Sequence, residues 1–241
     1  VRMHGRARRR GAHAQREGRL VAFGRPVPEL QKARIYEQLL LDIIMGEFAP
    51  GAQLEEKALS LRYDAGLAGI RDALSRLDLE GLVARRPRQG TFVAPLDVDD
   101  LRQDYEARMI IEPECAAMAA LYGSADEVAA IADAFEHGEE AAIAADTRAL
   151  VAMDQRFHAA VARAAGNSSL SRVLIPLQHK ATRFWIFSMK TSTEAERMAD
   201  VLDHRRIASM IAAKDADGAR AAMRAMLQEM PGVLKRVARG G

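Results

Sequence analysis

Asp154 and His158 stand four residues apart in the run MDQRFHAAV, so on a helix their side chains share one face. A carboxylate and an imidazole at that spacing can hold one divalent cation, and these donors suit Zn²⁺, Mn²⁺ or Ni²⁺. The same spacing makes an ordinary helix salt bridge, and the pair alone does not choose between the two. The other chemistry-bearing run is ARRPRQGT, in which Arg85, Arg86 and Arg88 fall within four residues and are followed by Gln89, Gly90 and Thr91. Guanidinium groups pair with phosphates, and a glycine lets the backbone come close to a ligand, so this run suits a nucleic-acid backbone. Its alternative is a solvated basic surface.

These residues need elements to place them. Ile35, Leu39, Ile43 and Ile44 recur at helical spacing between Lys32 and Gly46, and FAPG (48–51) ends that helix. Glu55–Tyr63 is predicted as a short second helix with Leu54, Ala58 and Leu61 facing inward; Lys57 and Arg62 lie on it. Ile70, Leu74, Leu77 and Leu79 mark a third helix, which carries Arg71 and is closed by Gly81. A hairpin follows, with strands at Leu82–Arg85 and Thr91–Ala94 joined by the basic turn. Three short helices and a hairpin make a winged helix-turn-helix.

Beyond Pro95 the pattern is of long helices only: 97–121, 125–145, 146–165, 170–190, 194–213 and 215–237. Ser124 and Glu127 are spaced as a capping box, and Gly166-Asn167 ends the helix that bears Asp154 and His158. The fold class is therefore mainly α, a winged helix-turn-helix with a small β-hairpin wing followed by an all-α bundle. The boundaries read as a basic disordered arm at 1–28, the winged domain at 29–96 and the bundle at 97–238. Met109, Met118, Met153, Met210 and Met223 sit at core spacing. Trp185 with Phe184 and Phe187 reads as core or subunit surface, and Cys115 as a small buried apolar residue.

Composition narrows the class further. The chain has 241 residues, 49% hydrophobic and 28% charged, enough to bury a core. One cysteine excludes an internal disulfide and suits a reducing compartment. No apolar run approaches the roughly 18 residues of a membrane span. Net charge is +2, yet residues 1–25 hold eight Arg against one acid, Glu17, so the basicity lies in the arm. That arm, VRMHGRARRRGAHAQREGRL, reads either as an upstream extension or as a source of added phosphate contacts.

The runs IYEQLLLDIIMGEFAPGAQLEEKALSLRY and IRDALSRLDLEGLVARRPRQGTFVAPL closely resemble the winged-helix domain of GntR transcriptional regulators. RMIIEPECAAMAA, DQRFHAAVARAAGNSSL and DHRRIASMIAAKDADGARAAM resemble the effector-binding (FCD-type) domain of their FadR subfamily. The resemblance spans roughly residues 30–235. It implies a cytoplasmic homodimer that binds double-stranded DNA at a palindromic operator, a repressor released by a small carboxylate effector, and not an enzyme. It also implies DNA contacts at Lys57, Arg62, Arg71, Arg85, Arg86, Arg88, Gln89, Gly90 and Thr91. Where the family carries a Ser-Arg-Thr/Ser-Pro sequence at the start of the recognition helix, this chain has Gly66, Leu67, Ala68 and Gly69. DNA reading is therefore expected to be weaker or altered.

In the bundle the resemblance adds His204 to Asp154 and His158 as metal ligands, and Arg108 as a cation for the effector acid, with Glu112 as its alternative helix partner. The family's fourth ligand position falls on Met226, a poor ligand for such metals, so affinity is expected to fall. His179 is a candidate substitute. Two other readings stay open: a metal-dependent enzyme built on Asp154, His158 and His204, and a regulator-like dimer that has lost sequence-specific DNA reading.

Overall fold

The computed structural model describes residues 28–228, apart from the side chains of residues 28–30, 187 and 188. Residues 1–27 of the basic arm, the stretch 229–237 predicted for the last helix and the Phe187 side chain lie outside the described residues, and residue 28, assigned to the arm, opens the first helix instead.

Helix α1 (Pro28–Met45) buries Ile35, Leu39, Leu40, Ile43 and Ile44 and stops at Gly46, whose φ is +78°. Strand β1 (Gln53–Leu54) leads into α2 (Glu56–Arg62) and then α3 (Leu67–Leu79). Gly81, at φ +75°, turns the chain into β2 (Val83–Arg86) and β3 (Gly90–Val93). The three strands form an antiparallel sheet in the order β1-β3-β2, with Val83 opposite Val93 and Gln53 opposite Phe92. This is a winged helix-turn-helix, and its sheet has one more strand than the hairpin predicted.

Three inward assignments fail. In α2 the buried residue is Leu59, while Ala58 is exposed and Leu61 is 85% exposed. In α3 the core stripe is Ile70, Ala73, Leu74 and Leu77, and Leu79 is 90% exposed. Seven residues are fewer than two full turns, too few for apolar spacing to fix the phase of α2.

The bundle comprises α4 (Val98–Tyr122), α5 (Ala125–Asp133), α6 (Gly138–Ile143), α7 (Thr147–Ala164), α8 (Ser168–Met189), α9 (Glu194–Ala212) and α10 (Ala216–Gln228). Asp97 caps α4 through the amides of Asp99 and Asp100. The predicted Ser124–Glu127 capping box is present, and Thr193–Glu196 forms a second one at α9.

The single helix predicted over 125–145 is broken into α5 and α6, and the cause is tertiary. Phe135 turns into the core, 1% exposed, and Arg205 donates to the carbonyls of Phe135 and Glu136. At Gly138 a Cβ would lie 2.7 Å from Val201 Cγ1, so α6 starts where α9 passes too close for a side chain. The five methionines assigned to the core all pack there, Met153 and Met223 buried and Met109, Met118 and Met210 partly so. Phe184 is buried with Leu101 and Ala181, and Trp185 packs against the cores of both the winged head and the bundle. Cys115 is fully buried, and burial pushes its thiol up to about 11.

Candidate metal centre and DNA-facing surface

Helix α7 presents Asp154 and His158 to the interior, and α9 brings His204 beside them. One ligand atom from each lies within 4.8 Å of the others, and all three residues are buried. Asp154 Oδ1 is 3.4 Å from His158 Nε2 and 3.6 Å from His204 Nε2. The far nitrogen of each ring is held in place. His204 Nδ1 donates to the Asp200 carbonyl at 2.7 Å, and His158 Nδ1 sits 2.9 Å from Glu112 Oε2. Asp154 Oδ2 accepts from Gln178 at 2.5 Å and, more weakly, from Thr182 at 3.4 Å, both on α8. Phe135 stacks on His204 with ring centroids 4.2 Å apart, and Phe157 meets both imidazoles edge-on.

His204 Nε2 is a fully buried nitrogen with no hydrogen-bond partner. Buried polar atoms rarely go unpaired. Here the orphan faces a carboxylate oxygen and a second imidazole, and its own ring is oriented from behind by the Asp200 carbonyl in the way of metal-bound histidines. Three donors of these types suit a borderline divalent cation, with positions left open. Among the described residues no fourth ligand joins them. Met226 is half-buried and packs against the bundle core. His179, the candidate substitute, is absent from the cluster and contacts Glu80 instead, as described below.

The electrostatics of the cluster are those of a compensated ionic core. Burial works against charge on Glu112, yet Arg108 and His158 hold its carboxyl down at about 2. Burial likewise opposes a charged His158, but Glu112 and Asp154 lift it to about 9. Burial is overcome at Asp154 too, where His158 and His204 hold the carboxyl well below the usual range, and Asp200 is pushed up to about 6 by burial. Arg108, the predicted effector cation, donates from Nε to Glu112 Oε1 at 2.5 Å and is 4% exposed. Glu112 thus belongs to the cluster, where spacing shows it only as a helix partner of Arg108; its contact with His158 comes from another helix.

The predicted DNA-contacting residues form one surface in part. Glu56, Arg71, Ser75, Arg85, Arg86, Arg88, Gly90 and Thr91 line an open cleft of about 320 Å³ between α3 and the wing. Arg71 pairs with Glu56 at 2.7 Å, Arg85 donates to Ser75 Oγ, and Arg86 lies over the Phe92 ring. Arg88 adopts φ +62° at the wing tip, and Gly90 φ +112°. Gln89 and Lys57 are exposed. Arg62 points elsewhere: it is tied at 2.7 Å to Asp42, whose other oxygen accepts from Arg148 of α7 at 2.6 Å.

Helix α8 runs between head and bundle. His179 Nδ1 is 3.2 Å from Glu80 Oε2, and Glu80 caps the end of α3 and also accepts from Tyr36 and Arg76. Arg183 donates to the Ala94 carbonyl at 2.7 Å, and Ile186 with Val151 of α7 completes the head's core. Burial works against charge on Glu80, yet His179 and Tyr36 hold its carboxyl below the usual range; at Asp42 burial is likewise outweighed by Arg148, Tyr63 and Arg62. Depressed carboxyls stabilise the fold above their unfolded pKa, and that stability is lost as pH falls through the folded value. Urea midpoints are thus expected to hold above about pH 5 and fall below about pH 4. Glu80→Gln and Asp42→Asn should each shallow that fall, and an unchanged acid limb in both would show that these contacts are not made in solution.

Comparison with known proteins bears on both regions. Residues 31–93 match the family described as "Bacterial regulatory proteins, gntR family", and residues 103–229, just over half the chain, match the FCD domain. The chain belongs to the GntR family. It is a transcriptional regulator of that family with an FCD effector-binding domain. HTH-type transcriptional regulator LutR of Bacillus subtilis (strain 168) is 29% identical, the match covering 78% of this chain and 94% of LutR. HTH-type transcriptional repressor GlaR of Escherichia coli (strain K12) is 29% identical, covering 78% and 89%. In fold, the GntR chain resembles E. coli McbR/YncC with a TM-score of 0.74 at 18% identity, covering 86% of this chain and 98% of that one. The family's members are regulators rather than enzymes, which sets aside the metal-dependent enzyme reading. No helix among the described residues is long and apolar enough to cross a membrane.

Proposed function

We propose that this regulator binds a palindromic operator as a homodimer and represses until a small carboxylate metabolite, held on a divalent metal in the bundle, loosens its grip. The carrying observation is the double engagement of α8. Gln178 and Thr182 bond to Asp154 of the metal cluster, while His179 contacts Glu80 at the end of the recognition helix α3. A shift of Asp154 on metal or ligand uptake therefore acts on α8 directly, and α8 acts on α3. Two packed arrangements of one helix are the kind of element through which a ligand changes affinity at a distance.

Asp154, His158 and His204 would hold the metal, which supplies open coordination positions for an acid. Arg108 has its Nε engaged by Glu112, leaving the terminal guanidinium nitrogens for the acid's other oxygen. A homodimer follows from how helix-turn-helix heads read two half-sites one DNA turn apart. GlaR's being named a repressor supports that sign of regulation. Operator contacts fall to Arg71, Arg85, Arg86, Arg88, Gln89, Gly90 and Thr91, with Lys57 on phosphate.

The test uses an operator selected from a random DNA pool, titrated with Mn²⁺ and a panel of small carboxylic acids. One acid is expected to change operator affinity by about 5–150-fold. His179→Ala should keep metal binding and ligand-free DNA affinity but lose most of that change. An equal response in both proteins would reject the α8 route, and no response to any metal or acid would reject the effector reading.

A further inference from the structure

The first turn of α3 carries no polar side chain. Gly66 caps the helix without a side-chain hydrogen bond, and Leu67, Ala68 and Gly69 follow. Gly69 faces inward, where a Cβ would lie 2.8 Å from Ile35 Cδ1, so this turn is seated closely on α1. Leu67, 38% exposed, and Ala68 are left on the outside. Leu67 and Arg71 are four apart and share a helix face, and Arg71 lines the basic cleft with Arg85, Arg86 and Arg88. A large apolar side chain thus stands next to the arginine best placed to meet a base.

We propose that Leu67, flanked by Ala68, reads the C5 methyl group of a pyrimidine in the major groove, beside the base pair met by Arg71. The assignment rests on the DNA-binding reading above. N-terminal residues of a recognition helix are the ones that reach base edges. Leucine cannot satisfy a donor or acceptor there, and leaving one unpaired at a dry contact is unfavourable. The apolar group on a major-groove edge is the C5 methyl, which thymine carries and which 5-methylcytosine carries in the same place. Leu67 therefore selects for that methyl and against unmethylated cytosine.

The experiment starts from sites selected from a random DNA pool with the full chain. In the best site, each thymine of a half-site is replaced singly by deoxyuridine, which removes only the methyl. One replacement is expected to weaken wild-type binding about fourfold, and roughly fifteenfold when made in both half-sites. Leu67→Ala should bind the thymine site more weakly and show no further loss with uracil. At the same position, cytosine should bind worse than thymine; recovery with 5-methylcytosine would make the contact methylation-sensitive, and lack of recovery would confine it to thymine. A discrete site indifferent to every uracil substitution overturns the assignment alone, as does an undiminished uracil effect in Leu67→Ala. Enrichment of no site overturns the DNA-reading function and this assignment together.

Discussion

Glu112→Ala is expected to destabilise the protein by about 3–5 kcal/mol, the range for stripping the partner from a buried charge. Glu112 is 1% exposed and stands between Arg108 and His158, themselves 4% exposed. Its removal leaves two cations facing each other. His158 can release its proton, since the pull that holds it at about 9 comes first from Glu112. Arg108 cannot, and it carries most of the loss. The fall in thermal midpoint should be on the order of 10 °C for a chain of this size. Adding Arg108→Met should recover much of the stability, because an apolar replacement of a whole buried pair is close to neutral. Chemical denaturation of the three proteins decides the matter. A loss under about 1 kcal/mol in the single variant would mean that solvent already reaches the pair.

His204→Ala is expected to weaken Mn²⁺ or Zn²⁺ binding by more than about 100-fold, since loss of a ligand should exceed the 10–100-fold effect of losing a ligand's supporting contact. Thr182→Val, which removes the weaker of the two bonds to Asp154 Oδ2, should stay within that smaller range. Calorimetric titration gives both values. In wild type, metal at about 100 times its dissociation constant should add about 3 kcal/mol to folding stability, and His204→Ala should lose this increment. His158 must give up its proton to bind metal, so affinity should rise with pH toward about 9 and uptake should release protons. Equal affinity in wild type and His204→Ala would place any bound metal elsewhere.

The elements were legible where their signals are local. Gly81 stops α3, Ser124 and Glu127 box the start of α5, and Gly166 ends α7 because a positive φ or a cap sits within one turn of the residue it controls. Asp154 and His158 were visible for the same reason, four apart on one helix. The break at 134–137 was not, because it is made by Arg205 and Val201 on α9, some seventy residues away. Strand β1 leaves no signal, because two residues carry no alternation. Gly69 reads in sequence as a weak point of a helix, and its packing against Ile35 is seen only once α1 and α3 are assembled. Arg62 and His179 offered ordinary chemistry to several partners, and only the fold shows that Asp42 and Glu80 claim them.

The seam between head and bundle has a consequence for how such proteins can be recombined. Asp42 and Glu80 belong to the head but are paired from α7 and α8, and Val151 and Ile186 of those helices fill the head's own core. A head transplanted onto another FCD domain would arrive with two carboxylates stripped of their bundle partners and an open hydrophobic face. Its recognition helix would then rest on a foreign surface. The DNA-binding unit is in this sense larger than the segment matched to the winged head, and an exchange that carries the α7–α8 pair along keeps its core and its carboxylate contacts intact.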